Sequence, residues 1–104
     1  MADTIKIRAT LEGEITTVKA QIIHIMETGL FKNRTTGELI PAHYIQEVTC
    51  AHNGKVVLSA EWGIAVSKNP YIAFSFSGGK KGDAITLSWL DNQGGQDSIE
   101  TTVN

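Results

Sequence analysis

The side chains best suited to chemistry in this 104-residue sequence are a single cysteine and three histidines. A lone Cys50 could act as nucleophile, metal ligand or covalent carrier, all of which need an accessible thiolate. It lies inside an alternating apolar segment, two residues from Val48, with no Lys or Arg within four residues and with His52 on the same face. An inert core side chain is the expected role. His24, His43 and His52 together with Cys50 make a soft nitrogen and sulfur donor set. The HxH, HExxH and CxxC spacings are all absent, so each histidine is expected to be structural or at the surface. Ser, His and Asp are present, but without a GxSxG elbow or a matched pair of acids. Ser77-Gly78-Gly79-Lys80 lacks the strand–loop–helix setting of a phosphate loop and reads as a hairpin turn. Trp62, Trp89, Phe74 and Phe76 stand at strand spacing and read as core. No catalytic residue, metal ligand or cofactor is assigned.

Composition narrows the function classes. The chain is 41% hydrophobic and 19% charged, the balance of one folded globular domain spanning residues 1–104. Nine basic against 11 acidic residues leave a net charge of −2, too weak to steer nucleic acid. Apolar runs stop at four residues, far short of the ~20 needed to cross a membrane as a helix. With one cysteine no disulfide framework forms. The opening residues carry no basic-then-apolar leader, which reads as cytosolic, or as export on a signal-bearing partner.

The elements that must position these side chains are strands. Alternation of period two recurs throughout, and no helical period persists beyond about two turns. Ile5, Ile7, Ala9 and Leu11 share one face of a first strand. A second, over residues 15–25, has Val18, Ala20, Ile22 and His24 on one side and Ile23 and Ile25 on the other, so its end is expected to be covered on both sides. Residues 26–42 read as a long loop with a short hairpin around Thr36-Gly37. Strands over 43–52 and 55–62 flank Asn53-Gly54, the preferred pair for a type I′ turn. Tyr44, Val48 and Cys50 are expected on one face of the former, and Val56, Leu58, Ala60 and Trp62 on one face of the latter. Residues 71–77 place Ile72, Phe74 and Phe76 inward, Ile85, Leu87 and Trp89 define another inward face, and a last strand covers about 96–103. About seven short antiparallel strands predict an all-β, immunoglobulin-like (fibronectin-like) sandwich.

Two resemblances add to this. Pro41-Ala42-His43-Tyr44-Ile45 resembles, over five residues, a ligand segment of the superoxide-reductase family, which has an immunoglobulin-like fold with mononuclear iron. That family's site needs four histidines and a cysteine, and this chain has three histidines. The second resemblance is longer. His24-Ile25-Met26-Glu27-Thr28-Gly29, Leu39-Ile40-Pro41-Ala42-His43-Tyr44-Ile45-Gln46 and Val66-Ser67-Lys68-Asn69-Pro70-Tyr71 resemble the SoxZ family of bacterial thiosulfate oxidation. So do Asn53-Gly54-Lys55, Trp62-Gly63, Gly78-Gly79-Lys80, Gly82-Asp83 and Trp89-Leu90-Asp91-Asn92-Gln93-Gly94. Ile25 departs from the proline that family usually has after the histidine.

The SoxZ resemblance implies a non-catalytic subunit without a cofactor. Such subunits pair with SoxY, which carries sulfur intermediates on a cysteine in a flexible C-terminal arm and presents them to the other Sox enzymes. It also implies a periplasmic location, reached together with a Tat-exported partner. This chain lacks a GGCGG-like terminus and would not be the cargo-bearing subunit. Residues expected to contact the partner are the apolar Met26, Leu30, Phe31, Leu39, Ile40 and Tyr44, in a segment with no core of its own, with Arg34, His43 and Lys68 at the polar rim.

Overall fold

The computed structural model describes residues 4–104. Seven strands follow one another: β1 (Ile5–Glu12), β2 (Ile15–Ile22), β3 (Ile45–His52), β4 (Lys55–Glu61), β5 (Tyr71–Ser77), β6 (Ala84–Asp91) and β7 (Gln96–Thr102). They form two antiparallel sheets, ordered β1-β2-β5 and β4-β3-β6-β7. The predicted sandwich is therefore the observed fold. Its core lies between the sheets, where the inward side chains of each strand interdigitate. Ala9, Val18, Ile22, Val48, Cys50, Ile85 and Leu87 are all buried there, and Ile72, Phe74 and Phe76 of β5 pack against them.

The β3–β4 turn forms as expected, with Asn53 at φ 48° and Gly54 at φ 85°. Positive φ at both central positions defines a type I′ turn, whose twist matches the flanking strands. Two irregularities in β3 shift the faces read from simple alternation. The first falls between Ile45 and Glu47, and it places Ile45 in the core where strict alternation had put Gln46. The second falls between Cys50 and Ala51, so Ala51 pairs with Val56. Val56 is consequently exposed, and Val57 and Leu58 pack on the core instead.

The expected double covering at the end of the second strand is not observed. β2 ends at Ile22, and Ile23 and Ile25 are both exposed. Residues 26–42 make the expected excursion and contain the expected hairpin. Glu27 and His43 close its base through a pair of backbone hydrogen bonds of 2.7 and 2.9 Å. Lys32 and Leu39 bridge further out, and Gly37 N–H donates to Asn33 C=O at the tip. Every residue from 30 to 39 is exposed. With both arms exposed and bridged only to each other beyond the base, the hairpin stands clear of the sandwich body.

Candidate functional site

The base of this hairpin meets the β6–β7 turn at a buried carboxylate. Asp91 continues the inward series Ile85, Leu87, Trp89 by one more period of two, so β6 delivers an acid where the core ends. Burial of an ionised carboxylate is tolerated only when its oxygens are satisfied. Asp91 Oδ2 accepts from His24 Nε2 at 3.1 Å and from His43 Nε2 at 2.6 Å. Its Oδ1 accepts from the backbone N–H groups of Gln93 at 3.0 Å and Gly95 at 2.7 Å. Burial alone would raise the pKa of this carboxyl, but the four donors outweigh it and hold the group at about 2.

Close approach requires glycine at position 95. A Cβ there would stand 2.5 Å from Asp91 Oδ2 and 3.0 Å from its Cγ. His24 is held from every side. Its backbone N–H donates to Asn69 Oδ1, its carbonyl accepts from Asn69 N–H, and its ring stacks edge-on to Trp89 and His43 at 5.2 and 4.7 Å. Asn92 completes the assembly: its side chain donates to Ala42 C=O and accepts from Tyr44 N–H, and its backbone N–H donates to Tyr44 C=O.

Three potential ligand atoms, from His24, His43 and Asp91, lie within 4.8 Å of one another. Their hydrogen bonding decides whether they fit a resident metal. Met26 N–H donates to His24 Nδ1 at 3.1 Å, so the ring proton sits on Nε2 and points at Asp91. A metal on Nε2 of a neutral ring would put a proton on Nδ1, directly against Met26 N–H. Metal-bound histidines instead donate from their free nitrogen, and this residue cannot. Nor do the other members of the soft donor set join them. Cys50 is buried in mid-β3, and burial pushes its thiol up to about 11. His52 pairs with Asp83 at 2.7 Å, beside the β5–β6 turn. The residues present therefore do not fit a mononuclear iron centre. A cavity of about 540 Å³ opens beside His43 and Asp91, lined also by Thr4, Trp89 and Gln96. The Thr4 hydroxyl is occupied, donating to Asp97 Oδ2 at 2.6 Å. The arrangement is a closed hydrogen-bond clamp that anchors the projecting hairpin.

A profile of the SoxZ family, described as "Sulphur oxidation protein SoxZ", matches residues 5–102. This chain belongs to the SoxZ family. Among solved structures, similarity extends to the hypothetical protein PH1083 from Pyrococcus horikoshii OT3. The TM-score is 0.68 at 17% identity, covering 99% of this chain and 89% of that one. A superoxide reductase in the oxidised state is similar at TM-score 0.57 and 21% identity, over 97% of this chain and 87% of the other. Both likenesses concern the fold alone. No curated protein matches the chain. SoxZ membership makes it a subunit of the sulfur-oxidation system, and no helix among its described residues is long and apolar enough to cross a membrane.

The structure scatters the partner-contact residues expected from the SoxZ resemblance over four environments. Leu30, Phe31, Arg34 and Leu39 are exposed on the hairpin, and Lys68 is exposed in the loop before β5. Ile40 and Tyr44 are half-buried, and His43 belongs to the clamp. Met26 is only 6% exposed and its sulfur accepts from Ile45 N–H, so it supports the hairpin from inside and offers no contact surface. Sequence reasoning overlooked Asp91 as a site residue. The signal was present: an acid at an inward strand position, followed by Asn92-Gln93-Gly94-Gly95.

Proposed function

We propose that this chain is the non-catalytic partner of a SoxY-type subunit in the sulfur-carrier complex of thiosulfate oxidation. It would supply the rigid half of the pair while the partner carries covalent sulfur intermediates on its own cysteine arm. On this reading the pair works in the periplasm, which the chain enters with a Tat-signal-bearing partner. The observation that carries the proposal is the distribution of exposed apolar side chains. Ile23, Ile25, Leu30, Phe31, Leu39 and Ile64 are all exposed, and all belong to the end of the sandwich from which the hairpin projects. Exposed apolar side chains gathered at one end of a fold suit a lasting protein interface. Leu30 and Phe31, 73% and 63% exposed, are the strongest anchors. Arg34 and Lys68 would form the polar rim. The clamp at Asp91 holds this surface in one geometry, which lowers the ordering cost of association.

The test is titration of the purified chain against the SoxY-type subunit. Phe31→Ala combined with Arg34→Glu is expected to weaken the heterodimer by at least about ten-fold, since a hot-spot aromatic contributes ~2 kcal/mol or more. Unchanged affinity would reject the hairpin as the docking surface.

A further inference from the structure

The outward faces of the two sheets carry opposite charge. On the three-stranded sheet Arg8 stands directly across from Lys19, with Lys6 two residues along on the same face and one acid, Glu12, at its far end. All three are exposed, and none makes an ion pair with a carboxylate among the described residues. A third of the chain's nine basic residues thus stands together on one face of a protein whose net charge is −2. On the other sheet Glu47 stands across from Glu61, and Glu100 of β7 is exposed on the same outer side. Like charges directly opposed across a strand pair destabilise the sheet. Folding does not account for Arg8 against Lys19.

We infer that the outward face of β1-β2-β5 is a docking surface for an acidic protein surface, engaged transiently. Two depressions flank the Arg8–Lys19 pair. One, of about 280 Å³, is lined by Lys6, Arg8, Lys19 and Tyr71; the other, of about 230 Å³, by Arg8, Thr17 and Lys19 together with the acid Glu12. The first has cations and no acid in its lining and accommodates a carboxylate side chain between them, whereas Glu12 already supplies the second with one. Apart from Tyr71 and the small Ala73 the middle of the face is polar, and exposed cations contribute to association rate and salt sensitivity more than to lasting affinity. That profile suits an enzyme that visits a carrier and leaves. The inference rests on the proposed function in one respect: the SoxY-type partner occupies the apolar end and leaves this face free.

The decisive variant is Lys19→Glu, which sets a carboxylate directly across from Arg8 and reverses one of the three charges on the face. Its Tm is expected to rise, because an opposite-charge cross-strand pair replaces a repulsive one. Binding is measured by stopped flow between the chain paired with its SoxY-type subunit and each purified sulfur-oxidation enzyme of the same organism. For the enzyme that docks, the parental association rate should fall about ten-fold or more between roughly 20 and 200 mM salt. Lys19→Glu should lower that rate several-fold with little change in dissociation, and leave affinity for the SoxY-type subunit unchanged. Salt-independent association with every enzyme, or a Lys19→Glu rate equal to the parent's, would overturn the inference. So would low-salt self-association in sedimentation velocity that Lys19→Glu and Glu61→Lys each abolish while enzyme association is untouched. That result would assign the face to a second copy. Loss of SoxY-type binding in Lys19→Glu would instead place the lasting partner here and reject both assignments.

Discussion

Replacing Asp91 with alanine tests the clamp most directly. The substitution removes the acceptor of four N–H groups at once. His24 Nε2–H suffers most, because its side chain is 4% exposed and solvent cannot replace the lost acceptor. A buried donor left without a partner costs about 1–3 kcal/mol. The Gly95 and Gln93 amides and the half-exposed His43 regain solvent in part and add about 2 kcal/mol more. A loss of roughly 3–5 kcal/mol follows, the range known for breaking buried charged networks. At an unfolding entropy of ~2.1 cal/mol/K per residue, the 104-residue chain should lose about 14–23 °C in Tm. Calorimetry measures this, with Asp91→Asn as control. The amide keeps the volume but has one acceptor oxygen in place of two, so an intermediate loss is expected. Hydrogen exchange adds a local readout, since the Glu27 and His43 amides that close the hairpin base should lose protection in the alanine variant. A Tm within about 5 °C of the parent, or equal losses for Ala and Asn, would refute the closed network.

The same carboxylate sets an acid limit on the fold. Held at about 2 against an ordinary 3.8, it is ionised more readily in the folded chain than in the unfolded one. Its stabilisation of about 2 kcal/mol is therefore complete above ~pH 4 and lost as pH falls through about 2. Acid titration of Asp91→Asn should lack this component; an identical acid profile for parent and variant would contradict it. Gly95→Ala should lower stability by about 1–3 kcal/mol, because its Cβ meets the Asp91 carboxylate. Chemical denaturation measures the loss, and a neutral result would show that the turn can move away. Cys50, buried and raised to about 11, should resist iodoacetamide at mildly alkaline pH in the native chain and react within minutes in denaturant. Mass spectrometry reads the adduct, and rapid native labelling would contradict the buried assignment.

Local pattern sufficed for the strands, because alternation of side chains is a property of each segment on its own. Ile5 to Leu11 and Ile85 to Trp89 read correctly for that reason, as did Asn53-Gly54, whose backbone preference is intrinsic to the dipeptide. The SoxZ motifs were legible too, being strings of residues in order. Other features depended on pairing between distant segments. The two irregularities in β3 arise from its register with β4 and β6, and they moved Ile45 inward and Val56 outward against the alternation. Exposure of Ile23 and Ile25 followed from what fails to cover them, which no local window contains. The clamp joins His24 and His43 to a carboxylate 67 and 48 residues away, and only the stacking of two sheets brings these to one end. Arg8 against Lys19 is likewise a fact of register. The sequence by itself determined which segments are strands and which family they belong to. The tertiary structure decided which side chains meet, because hydrogen-bond register and sheet packing are settled by the whole chain at once.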